Sequence, residues 1–267
     1  MGMRSRTIYN FVWAAVVCLA AAAGASAQDF QRSYSLGEGA AVQIANVSGD
    51  IELKGYDGGA LVVNAFKVGR DRDVVEVVDE STPGRVHVRV KYPNNCNCDA
   101  GVRFEVRVPR SSGLSFDKIT TASGNVRAEG FTAGRVSLST ASGDVSVSRL
   151  GGEIKASSAS GTVRVSDSTG RVNASSASGD VEVELTRLEG GDMSFSSASG
   201  DVHVRLPANT DAQVSMSTVS GSIETNFPIE VKTSRYGPGS RAQGQLGSGS
   251  RSLKLSSASG NISLKSI

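Results

Sequence analysis

The chain has 267 residues, with 28 Lys and Arg against 26 Asp and Glu, a formal charge of +2, 39% hydrophobic and 5% aromatic residues, and 31 glycines. So even a charge balance removes the bulk-charge route to nucleic acid or to an anionic membrane surface. So few aromatics beside so many glycines argue for repeated small-residue turns rather than one large globular core.

At the N-terminus, Arg4 and Arg6, an apolar run from Phe11 to Ala23, and Ala25-Ser26-Ala27 follow the charged, apolar, small-residue order of a secretory signal peptide. Residues 1–27 are therefore expected to be a leader cleaved near Ala27, and the mature chain to be exported, to the periplasm, the cell surface or the medium. The apolar run is shorter than the roughly 20 residues a spanning helix needs. No second such run follows, so no transmembrane segment is expected in the mature chain. Cys18 follows Val16 and Val17 rather than a small residue, which speaks against lipid attachment. Loss of the leader leaves 26 (28 − 2) basic against 26 acidic side chains.

Residues 28–267 read as a single all-β domain. The first turn-and-strand unit is Val47-Ser48-Gly49-Asp50-Ile51. From 60 to 110 the strands lengthen, as in Arg85-Val86-His87-Val88-Arg89-Val90-Lys91, with turns at Pro83-Gly84 and Pro93-Asn94-Asn95. This irregular section is expected to cap the N-terminal end of the repeats. Within it, Cys96-Asn97-Cys98-Asp99 has no repeat explanation. It reads as a small loop disulfide, with metal binding (His87 as a further ligand) or intermolecular pairing as alternatives.

From 118 to 225 the unit recurs around Gly124, Gly143, Gly161, Gly179, Gly200 and Gly221, and it returns at Gly260 in a final repeat, 251–267. Weaker half-units fall between, so that Gly134, Gly143, Gly152, Gly161, Gly170 and Gly179 are nine residues apart. Apolar residues stand two and four positions after each glycine, the alternation of a strand with one buried face. Glycine supplies the positive φ of a tight turn, and the serine before it bonds locally to the backbone. Near-identical side chains recurring every 18 residues favour a parallel β-solenoid (β-helix or β-roll-like) of about 18-residue coils over an antiparallel meander. Residues 226–250, with Tyr236-Gly237-Pro238-Gly239-Ser240, read as a loop excursion between coils. The last coil is expected to present a poorly covered edge through which copies can associate.

The leader, the Val88–Pro93 and Phe104–Pro109 strands, the Ser-Ala-Ser-Gly-Asp-Val series, and Gly247-Ser248-Gly249 with Leu253–Gly260 resemble a bacterial family of exported β-strand-repeat proteins of unknown function labelled putative adhesins. The resemblance covers nearly all the mature chain. It implies a β-repeat structure and an envelope or surface role, with no catalytic residue and no assigned ligand. The cysteine pair is not part of that pattern.

Three chemistries have to be weighed against the repeat itself. Ser142, Asp144 and His203 are the residue types of a hydrolytic triad, but a unit that recurs along a rod is not the unique constellation that turnover needs. Asp50, Asp144, Asp180 and Asp201 form a series of acids, yet each turn holds one acid where calcium takes six to eight oxygens. The slot therefore reads as a cap for turn N–H groups. Asp180 and Asp201 on neighbouring coils would be the carboxylate pair of a polysaccharide-cleaving enzyme. Arg85, Arg89, Arg103 and Arg107 are the candidate binding patch, with His87 and His203 as solvent-facing strand residues. The reading that results is a cofactor-free, non-enzymatic scaffold that binds an envelope polymer or a surface protein. Its rivals are a self-assembling rod and an envelope carbohydrate-active enzyme.

Overall fold

A computed structural model describes residues 29–188, 190–233 and 239–267. The expected leader, and Tyr236-Gly237-Pro238 of the excursion, lie outside the described residues. The strands are β1 (Phe30–Tyr34), β2 (Ala41–Ala45), β3 (Ile51–Tyr56), β4 (Leu61–Val68), β5 (Glu76–Asp79), β6 (Arg85–Lys91) and β7 (Gly101–Pro109). The regular middle comprises β8 (Ser115–Ser123), β9 (Val126–Glu129), β10 (Thr132–Ser142), β11 (Val145–Ser148), β12 (Gly151–Ser158), β13 (Val163–Ser166), β14 (Val172–Ser176), β15 (Val181–Glu184), β16 (Met193–Ser197) and β17 (Val202–Leu206). The chain continues with β18 (Ala212–Thr218), β19 (Ile223–Thr225), β20 (Val231–Thr233), β21 (Ser240–Leu246), β22 (Ser252–Ser257) and β23 (Ile262–Ser266).

These strands build two sheets, one of 11 strands (sheet A) and one of 12 (sheet B). Each regular coil runs along one strand of sheet B, through the Ser-Gly-Asp turn, along one strand of sheet A and back. The solenoid is thus two-sided. Stacking is parallel and in register, with Val145 over Val163, Val163 over Val181 and Val181 over Val202. The period-2 alternation sends these valines inward, where they meet Val136, Ile154, Val172 and Phe195 of sheet B in one continuous core. Residues between them point outward. Each coil alone leaves its apolar side open, so neighbouring coils supply the missing half of the core.

The turns stack as tightly as the strands. A Cβ on Gly161 would sit 1.9 Å from the carbonyl oxygen of Gly143, and one on Gly179 would sit 2.2 Å from that of Gly161. Gly49 and Gly124 do take positive φ (112° and 140°), but Gly161, Gly179, Gly200, Gly221 and Gly260 do not. What excludes a side chain at those five is the carbonyl of the adjacent coil, a reason different from the backbone freedom expected from the sequence.

The hydroxyl that serves the turn also differs from expectation. The serine just before the glycine is exposed, whereas the Ser or Thr three positions before it is buried. Ser158 Oγ donates to Gly143 O (2.8 Å) and accepts from Gly161 N (2.8 Å). Ser176 repeats the pattern with Gly161 O and Gly179 N, and Ser197 with Gly179 O and Gly200 N. At the first turn the amide of Asn46 takes this place, donating to Gly49 O and Val102 O. Without these partners the inward-facing carbonyls would be buried unpaired.

Coil order departs from chain order at both ends. The β2–β3 coil lies between β6–β7 and β8–β9. The β22–β23 coil lies between β16–β17 and β18–β19. The final repeat is therefore an interior coil, which overturns the expectation that it forms an open edge. Antiparallel strands cover what lies outside: β4 and then β1 beyond β7, β5 beyond β6, and β21 and then β20 beyond β18. The segment 226–250, expected to be a loop excursion, contributes two of these covering strands. Ser-Arg-Ala-Gln-Gly-Gln-Leu has the alternation of a strand, but its glycines and its lack of repeat identity hid it. At the other end, Tyr34 donates its hydroxyl to Asp79 (2.9 Å) and so ties the outermost strand of sheet A to that of sheet B. Burial pushes the Tyr34 hydroxyl up to about 12.

Candidate functional site

The alternation that fills the core leaves two broad outer faces, and their chemistry differs. On sheet A most outward residues are charged and several pair across coils, while Lys54, Arg107 and Arg127 have no ion-pair partner among the described residues. Arg164 bonds Glu182 (2.9 Å) and stands 3.8 Å from Asp144; Arg205 meets Glu184 (3.5 Å) and Lys265 meets Glu224 (3.2 Å). The Glu182 hydrogen bond raises the Arg164 guanidinium above its ordinary value. A shallow groove of about 320 Å³ on this face is lined by Arg164, Glu182, Glu184, His203 and Arg205, so its charges are partners of each other.

Sheet B presents small hydroxyls and unpaired cations. One outward row runs through Gln43, Lys118, Ser137, Lys155, Asn173, Ser194, Lys254 and Ser215, in register except at β8, where a bulge sets Asp117 and Lys118 together opposite Ser137. The next row is Thr120, Ser139, Ser157, Ser175, Ser196, Ser256 and Ser217. Beyond it, Ala141, Ala159, Ala177, Ala198 and Ala258 are exposed at the turn. Lys118, Lys155 and Lys254 are exposed, and among the described residues none has an ion-pair partner.

The aspartate slot runs along the margin of sheet A as a ladder. Asp50 Oδ1 accepts from Asn125 N (2.7 Å), Asn125 Oδ1 from Asp144 N (2.9 Å), and Asp144 Oδ1 from Thr162 N (2.8 Å). Asp180 Oδ1 likewise accepts from Asp201 N (2.8 Å), and Asp201 Oδ1 from Asn261 N (2.7 Å). Each of these side-chain oxygens faces a backbone donor of the next coil, which is why Asp and Asn interchange there and why stacked acids are tolerated. Asp144 and His203 lie three coils apart, roughly 14 Å at the strand spacing, so Ser142, Asp144 and His203 do not converge. His203 instead stands 3.9 Å from Asp201, and His87 Nδ1 stands 3.3 Å from Glu80.

The four arginines singled out from the sequence do not form one patch. Arg85 and Arg89 leave sheet B from β6, whereas Arg103 and Arg107 leave sheet A from β7. The turn between β6 and β7 carries the chain from one layer to the other, so four residues close in sequence point from opposite faces. Arg89 is also committed to Glu80 (2.6 Å), whose carboxyl it holds below the usual range by hydrogen bonding. Arg85 donates to Gln43, while Arg103 pairs with Glu105 and lies over the Phe66 ring. That same turn brings Cys96 and Cys98 together as a disulfide, Cα to Cα 5.2 Å. The lysines of sheet B were missed because they are 37 and 99 positions apart (155 − 118 and 254 − 155). Only the register places them in one row.

The architecture defines a class, the two-sided parallel β-solenoid with antiparallel strands closing its ends. Within that class the chain belongs to the family described as Toastrack DUF4097, whose profile matches residues 37–265. Among solved structures the chain is similar to a putative cell adhesion protein from Clostridium sporogenes, at 12% identity and a TM-score of 0.35, covering 89% of this chain and 99% of that one. It is also similar to a putative adhesin from Bacteroides fragilis, at 12% identity and a TM-score of 0.35, covering 89% and 96%. A putative adhesin from Parabacteroides distasonis matches at 10% identity and a TM-score of 0.37, with the same two coverages. No curated protein matches.

Proposed function

We propose that this chain is a non-enzymatic binding or scaffold protein of the cell envelope, exported behind a cleaved leader, that holds an extended envelope polymer or a surface protein. The observation that carries this reading is repetition. Coil after coil, sheet B offers the same small polar side chains at the strand spacing of about 4.8 Å. A surface that repeats on that scale suits a ligand that also repeats, with many weak contacts acting together. Turnover asks for one convergent constellation. The aspartates of the turns are instead engaged by backbone N–H groups.

The test is binding of the chain without residues 1–27 to fractionated cell envelope, with light scattering on the same sample. Saturable retention by one fraction is the expected result. No retention by any fraction, with scattering that grows with concentration, would overturn it in favour of a self-assembling rod.

A further inference from the structure

We propose that the outer face of sheet B is the docking surface and that its occupant is a linear acidic polysaccharide lying along the rod. This deepens the envelope-binding reading and rests on it. Lys155 and Lys254 stand in one register row that Lys118 joins at the bulge of β8, all three exposed and without an ion-pair partner among the described residues. The carboxylates of this face are each ion-paired or hydrogen-bonded within it, and Asp117 stands beside Lys118 in the bulge of β8. Glu153 is held by Arg135 (3.1 Å), Asp192 accepts from Ser252 N (2.8 Å), and Asp117 accepts from Ser115 Oγ (2.6 Å). Three lysines of the row thus stand against two carboxylates without a cation partner, Asp117 and Asp192, whereas on sheet A most cations are ion-paired and Lys54, Arg107 and Arg127 are the exposed exceptions among the described residues.

The spacing of that charge selects the ligand. Lys118 and Lys155 are two coils apart and Lys155 and Lys254 three, or about 10 Å and about 14 Å at the strand spacing. A nucleic acid strand carries a charge about every 3.4 Å, so most of its phosphates would face serines rather than lysines. A glycan with acids separated by neutral sugar fits better. Its acids meet the lysines, and its hydroxyls meet the row from Thr120 and Ser139 to Ser256. The exposed methyls of Ala141, Ala159 and Ala177 form a low shelf beside that row, so no large side chain lifts the polymer off the sheet.

Hyaluronate, with one carboxylate per disaccharide, is the probe, and uncharged dextran and a single-stranded oligonucleotide are the comparisons. Hyaluronate is expected to be bound by the chain without residues 1–27, more weakly as salt rises, and dextran not. Replacing the row together (Lys118→Ser, Lys155→Ser, Lys254→Ser) should weaken binding at least tenfold with an unchanged melting temperature. The equal charge change on sheet A (Lys54→Ser, Arg107→Ser, Arg127→Ser) should leave binding within about twofold of the parent. Absence of hyaluronate binding, equal loss from the two triple variants, or tighter binding of the oligonucleotide overturns the proposal. An envelope fraction that retains the parent and the sheet B variant equally overturns this face and ligand while leaving envelope binding intact. Loss of retention by every fraction removes envelope binding itself.

Discussion

The middle of the rod and its two ends solve the same problem differently. Between β8 and β17 each coil stacks on the coil that precedes it in sequence, so contacts are between nearest neighbours in both chain and space. At the ends the chain doubles back. The first coil, β2–β3, and the last, β22–β23, are each clamped between two others, and antiparallel strands lie outside them. In a solenoid wound strictly in chain order, the terminal coils have one neighbour and fray first. Here the first and last coils in sequence have two neighbours each, and fraying falls instead to β19, β20, β1 and β5.

The comparison is broken most severely by deleting residues 251–267. This removes an interior coil and leaves both β16–β17 and β18–β19 without the partner they share. Limited proteolysis should find the chain from about 193 onward unprotected. Protection of β18 in the truncated chain would show that the interleaving contributes little. Next in size is Gly161→Ala in the middle, where the added carbon meets the Gly143 carbonyl; a loss of about 4 kcal/mol or more in denaturant unfolding is expected. Gly84→Ala sharpens the point, since Gly84 has φ 78° with nothing within 4 Å of an added Cβ, and the left-handed backbone alone should cost about 1 kcal/mol.

Ser176→Ala removes the hydroxyl that serves Gly161 O and Gly179 N, and about 1–2 kcal/mol should be lost in the same measurement. The smallest effect is at the C-terminal end, where Asp211 accepts from the Ser248 hydroxyl and from Gly249 N and so pins the turn leading into β22. These bonds, the Ser248 hydroxyl first, hold its carboxyl down at about 2. A carboxyl depressed in the folded state adds stability that is full above its unfolded value near 3.8 and is lost as pH falls through about 2. Melting curves between pH 5 and pH 2 should therefore converge for the parent and Asp211→Asn, the gap being widest at pH 5. A gap that stays constant would rule out Asp211 as its source.

Much of this was legible in the letters because it is local. Alternation at period two marks strands by itself, and a unit returning every 18 residues can place each side chain over its copy without any knowledge of the rest. The strand grammar and the parallel solenoid follow from neighbours within one coil or one repeat, and the expectation that the aspartate slot caps backbone N–H groups holds with the donors supplied by the next coil. Other features depend on which coil lies against which. These are the two-sided cross-section, the interior position of the last repeat, the strands within 226–250, the separation of Arg85 and Arg89 from Arg103 and Arg107, and the alignment of Lys118, Lys155 and Lys254. Identical coils can stack in any order at nearly equal energy, so the repeat that announces the fold is silent about its sequence of neighbours. The irregular strands at the two ends break that degeneracy, and only in the folded chain do they decide which surfaces are covered and which face water.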